Sequence, residues 1–197
     1  MSHGTVVFFL GDGAQDSVEY ANGHGMGPAV WDEAYRTVVP HGHKYGAWDW
    51  LRGLGESWSE IRERTRTFPM AHRNLLLVTL REPTLVARQH WPEVVDSILV
   101  VFGVLPSGDR ALDVERLRVR LESSPVVNHW GEVALELVKR MDGPEVAFGL
   151  QNTSVNENPF KGERDPETGE RLPYDPFADD NWVTLGLHPT RGVYLDA

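Results

Sequence analysis

The sequence predicts an α+β fold, a single domain over residues 1–197 with a sheet built from both chain ends and several amphipathic helices between them. Three observations carry this. Residues 5–10 (TVVFFL) form a β-branched and aromatic run closed by Gly11-Asp12-Gly13, the pattern of a buried strand. Residues 92–103 and 124–143 repeat apolar side chains at helical spacing between a proline start and a glycine stop. Residues 145–150, 182–187 and 193–195 then return to short strand-like runs.

Taken in order, Pro28 marks a first helical position, and Ala29, Val30, Ala34 and Val38 follow along one face before Pro40, with Trp31 and Tyr35 widening it. Residues 59–66 read as a polar helix with Glu60 and Arg64 paired at i,i+4. The run 75–80 fits either a strand ending at Glu82-Pro83 or the end of a helix begun at Pro69. Pro92 opens the next helix, whose face is Val94, Val95, Ile98, Leu99 and Phe102 and whose stop is Gly103. Leu117, Val119 and Leu121 alternate with Arg118 and Arg120 as a strand would, although Val114, Leu117 and Leu121 suit a helix equally. Ser124 and Pro125 open the clearest helix; its stripe runs from Val126 through Trp130, Val133, Ala134, Leu137 and Val138 to Met141. Lys139 and Arg140 stand in its last turn, where the helix dipole favours cations. Residues 156–180 are acidic and rich in Pro and Gly, a long solvated loop.

Composition narrows the chemistry. No cysteine is present, which removes disulfides, thiolate metal sites and cysteine nucleophiles. The longest nearly pure apolar run, residues 98–105, is far short of the roughly 20 residues that span a bilayer. The N-terminus has no basic region and residues 6–10 are too short for a signal-peptide core, so a cytoplasmic, non-membrane protein is expected. The formal net charge is −10, with five acids against one base in residues 1–40 and 11 acids against four bases in residues 141–197. The closest approach to a basic face is Arg62, Arg64 and Arg66, with a second group at Arg116, Arg118 and Arg120. Both are interleaved with glutamates, the pattern of a salt-bridged solvated face, so no nucleic-acid partner is expected. Sixteen arginines against three lysines suggest a GC-rich coding genome.

Two loops are the candidate ligand-binding positions. The first, residues 22–28 (NGHGMGP), offers Asn22 and His24 among glycines that let a backbone approach a ligand, ahead of a helix N-terminus suited to an anion. Its spacing matches neither the P-loop nor the dinucleotide fingerprint. The second, residues 152–159 (NTSVNENP), presents Ser154, Asn156 and Asn158 directly after a strand, groups suited to a sugar, a nucleotide or a peptide backbone. If both face one pocket, His24 is the only candidate for proton transfer near neutral pH.

Other features read as structural. His41 and His43 share a face of extended chain but lack further ligands at a recognised spacing, so no metal is expected. Asp12, with Asp16 close by, would matter if it ended a parallel strand. The tail acids Asp165, Glu167, Glu170, Asp175, Asp179 and Asp180 lack calcium-loop spacing. Trp31 and Trp130 lie on apolar helical stripes, and Trp48, Trp50 and Trp58 lie in a Gly-rich segment suited to a contact surface.

No nucleophile elbow, His-Glu-x-x-His or phosphate-binding lysine occurs, and no motif calls for a cofactor. The expected function is therefore a small cytoplasmic, non-enzymatic binding or accessory protein acting through protein–protein contacts. The alternative is a binder of, or enzyme for, a nucleotide- or sugar-like small molecule at the two loops.

Overall fold

A β-hairpin forms one edge of the sheet. Strands β1 (His3–Phe9) and β2 (Gln15–Ala21) pair antiparallel along their whole length, Phe9 opposite Gln15 and His3 opposite Ala21. The coordinates are a computed structural model that describes residues 3–12, 15–21, 26–38, 58–80, 84–151, 160, 162, 164–172, 174–176 and 182–183. Among the described residues the sheet runs β2-β1-β4-β3-β5. Strand β4 (Ala147–Gln151) pairs antiparallel with both β1 and β3 (Thr84–Ala87), and β5 (Trp182–Val183) adds parallel to β3. The fold is α+β with a sheet drawn from both chain ends.

This topology overturns the parallel-strand argument for Asp12. Both neighbours of β1 run antiparallel to it, and Asp12 sits exposed in the turn of the hairpin. Strand β2 escaped the sequence reading because it is an edge. Val18 and Tyr20 turn to the core while Gln15, Ser17 and Glu19 face water, so little apolar character is left to notice.

Among the described residues six helices cover one face of the sheet: α1 (Met26–Val38), α2 (Trp58–Arg64), α3 (Met70–Thr79), α4 (Trp91–Val101), α5 (Arg110–Leu121) and α6 (Pro125–Arg140). They bury Val6 and Phe8 of β1, Val86 of β3 and Phe148 and Leu150 of β4 against their own apolar stripes. Helix α1 starts at Met26, so Pro28 stands within the first turn, where its missing N–H has no intrahelical acceptor to lose. The ambiguous run 75–80 is helical. Residues 72–79 are all buried, which erases the amphipathic period that would have identified the helix.

Helix α4 closes as expected at Gly103, whose φ is +82°. Its N–H bonds the Val100 carbonyl at 3.1 Å and that of Val104 bonds Leu99 at 2.8 Å, a Schellman stop that satisfies both of these last-turn carbonyls. Helix α5 is capped by the Asp109 carboxylate on the Leu112 N–H (3.1 Å). The strand-like alternation of Leu117, Val119 and Leu121 is therefore coincidental: Leu117 and Leu121 are buried and Val119 points to solvent. Ser124 occupies the N-cap of α6 in extended conformation, but its hydroxyl makes no capping bond; Pro125 starts the helix.

The opposite sheet face holds a second, smaller core. Val7, Phe9, Leu85 and Ala147 pack against Phe160, with Tyr174 alongside. Gly149 permits this approach, because a Cβ there would stand 2.5 Å from the Phe160 ring. The acidic segment is thus partly anchored. It doubles back at Arg164 and Arg171 around Asp165, whose Oδ1 accepts from the N–H of Glu167 (2.7 Å) and Thr168 (3.0 Å). The carboxylates of Glu167, Glu170 and Asp175 face solvent. No helix among the described residues is long and apolar enough to cross a membrane.

Candidate functional site

Asn22, His24, Ser154, Asn156 and Asn158 all lie outside the described residues, as do His41, His43, Trp48 and Trp50. The strand ends that border the two candidate loops are described. Ala21 ends β2 opposite His3, and Gln151 ends β4 opposite Thr5. Both strands flank β1, so both loops depart from the same end of the sheet, two strand spacings apart (about 9.5 Å).

The candidate arginine row does not form one surface. Arg62 is buried and Arg73 donates to its carbonyl at 2.9 Å, whereas Arg64 and Arg66 face water. In the second group, Arg116 pairs with Asp113 and Arg118 with Glu115. Trp31 and Trp130 are core residues, and their indole N–H groups bond Thr79 Oγ1 (3.0 Å) and the Met26 carbonyl (2.8 Å). No group of three or more His, Asp and Glu among the described residues is placed to hold a metal.

A polar seam joins α6 to β2. Arg140 is its hub, donating to Asp16 Oδ2 (2.7 Å), Glu145 Oε1 (2.9 Å) and Glu136 Oε2 (3.3 Å) while its guanidinium lies 4.4 Å over the Phe8 ring. Further along α6 the His129 ring packs on buried Tyr20 at 5.2 Å. Burial, with Glu132 and Glu136 adding to it, pushes the Tyr20 phenol far above its ordinary range, so the hydroxyl stays protonated. The seam welds the edge strand to the helical layer.

An open groove of about 610 Å³ lies where α1 meets the ends of α4 and α5. Helix α1 contributes Ala29, Asp32, Glu33 and Arg36, spaced i, i+3, i+4, i+7 and therefore on one face. Val101, Phe102 and Leu121 provide an apolar floor, and Arg120 stands on the wall facing α1. Glu33 and Arg36 pair with each other at 2.5 Å. Asp32 and Arg120 have no ion-pair or hydrogen-bond partner among the described residues. The sequence reading missed this groove. Its one local signal was the polar stripe of α1; the rest comes from segments 65 to 92 residues further on.

A second surface feature is the outer side of α5. Leu112 and Val119 are 47% and 65% exposed, and Leu105, in the loop before the helix, is 83% exposed. The first two lie two turns apart, about 10.5 Å along the axis, on the side opposite buried Val114, Leu117 and Leu121. No family model, curated protein or solved structure matches this chain.

Proposed function

We propose that this chain is a non-enzymatic binding protein, a cytoplasmic accessory protein of bacterial or phage origin that works through contacts with another protein. The observation that carries the reading is the pair Leu112 and Val119, two large apolar side chains two turns apart on the outer side of α5 and turned to water, with Leu105 exposed in the loop before them. The neighbouring arginines Arg116 and Arg118 are tied to acids, so they rim the stripe without adding a free charge. An apolar strip with a polar rim is how protein-contact surfaces are built.

The test is site-specific photocrosslinking in cells of the source organism, with a benzoylphenylalanine at Leu112, at Val119 or at Glu167 on the opposite sheet face. The expected result is one discrete adduct from the first two positions and none from the third. The same pattern from all three positions, or no adduct from any, sinks the reading.

The common departure of the two candidate loops from one sheet end supports a second reading, a nucleotide- or sugar-like ligand held by Asn22, His24, Ser154, Asn156 and Asn158. Native mass spectrometry of the untagged 22.2 kDa chain decides it: a bound metabolite mass supports the pocket, and a clean apo species with no added-nucleotide adduct removes it.

A further inference from the structure

The groove between α1 and the ends of α4 and α5 carries two opposite charges that no described residue pairs with. Helix α5 has four arginines, and three are engaged: Arg110 with Asp96, Arg116 with Asp113 and Arg118 with Glu115. Arg120 is the exception. Its guanidinium lies flat against Gly103, where a Cβ would stand 2.8 Å from Nη2. That bare glycine is already required by the positive φ of the α4 stop, so one residue both ends the helix and seats the cation. Across the groove Asp32 stands exposed on α1, equally without a partner among the described residues. Between them lies a floor of Phe102, Leu121 and Val101, each buried to within 7% of complete coverage.

An acid and a base without partners among the described residues, both lining one groove over an apolar floor, have a definite complement. We propose that this groove binds a peptide segment of a partner protein that presents a basic, an apolar and an acidic side chain in succession. The base meets Asp32, the apolar side chain covers Phe102 and Leu121, and the acid meets the Arg120 guanidinium, whose fork suits a carboxylate. Three extended residues span about 10 Å, and a volume of about 610 Å³ lies within the usual range of ligand sites. This inference deepens the protein-binding reading above but uses a surface separate from the Leu112/Val119 stripe.

The experiment titrates three capped tripeptides, acetyl-Lys-Leu-Glu-amide, acetyl-Lys-Leu-Lys-amide and acetyl-Glu-Leu-Glu-amide, into isotope-labelled protein. The amide signals of Gly103 and Leu121 report occupancy. The mixed-charge peptide should bind about three- to fivefold more tightly than either other one, the size expected of exposed ion pairs. Arg120→Glu should move the preference to Lys-Leu-Lys, and Asp32→Lys should move it to Glu-Leu-Glu. Both sites are exposed, so these variants should keep the wild-type melting temperature. Leu112→Ser with Val119→Ser should leave all three titrations unchanged, which separates this inference from the crosslinking result. No shift at Gly103 and Leu121 with any peptide, or a preference that ignores both charge reversals, overturns it.

Discussion

Arg140 donates to Asp16 at 2.7 Å across 124 positions of sequence, joining the last turn of α6 to the start of the edge strand β2. The same guanidinium reaches Glu136 and Glu145 and covers Phe8, so its removal takes the cation from buried Glu145 and leaves Glu136 to Lys139. Glu136 is instructive. Burial alone would raise its carboxyl, yet Lys139 and Arg140 together hold it below the ordinary range. Arg140→Met should cost roughly 2–3 kcal/mol, because it leaves Glu145 buried without its cation. Asp16→Asn, at a carboxylate 63% exposed, should cost under about 1 kcal/mol. Equal costs in urea denaturation would show that the hub is not what holds β2.

Gly149 and Phe160 make the second core depend on a single missing Cβ. Gly149→Ala should cost about 2–3 kcal/mol, since a fully buried ring must shift to admit the methyl. Phe160→Ala should cost about 3–4 kcal/mol. The double variant should cost clearly less than their sum, because the alanine methyl occupies space the ring has left. Strict additivity in a double-mutant cycle would mean the two positions do not meet.

Helices α4 and α6 were legible in the sequence because local signals agreed: proline at the start, an apolar stripe along one face and, for α4, a glycine that ends it. Helices α3 and α5 were ambiguous for opposite reasons. The first is buried all round, and the second carries an exposed Val119 that imitates strand alternation. Strand β2 was hidden by its exposed polar face, and Phe160 by the acidic residues around it. The groove could not be read locally, since Asp32 and Arg120 lie 88 positions apart and only the packing of α1 against the ends of α4 and α5 brings their helices to one cavity.

Asp113 staples the α4–α5 connection. Its carboxylate accepts from the Ser107 N–H (2.6 Å) and hydroxyl (2.8 Å) and from Arg116 (3.3 Å). The Ser107 backbone bond, ahead of the hydroxyl and Arg116, holds its pKa below the ordinary value of about 3.9. A depressed carboxyl contributes stability that is present above the unfolded pKa and lost as pH falls through the folded one. Wild-type stability should therefore decline below about pH 4, and Asp113→Asn should show a shallower decline from a lower starting point. Parallel pH profiles in thermal melts would remove Asp113 from the acid response.

His72 gives the second pH handle, in a higher window. The ring is buried between α1 and α3, with Nε2 at 3.2 Å from the Thr37 hydroxyl and Nδ1 without a hydrogen bond. Burial lowers its pKa, and the nearby Glu33 opposes that only in part. The unfolded chain therefore binds a proton more readily than the folded one. Stability from the neutral ring is full above the unfolded pKa of about 6.5 and drains as pH falls from there through the folded value. Wild type should melt at a lower temperature at pH 5.5 than at pH 7.5. His72→Gln, which keeps a polar partner for Thr37 but cannot titrate, should lose part of that difference. An unchanged difference in the variant would place the neutral-to-acid response elsewhere. Arg36→Ala, which frees Glu33 from its ion pair at the groove, should favour the imidazolium and narrow the same difference.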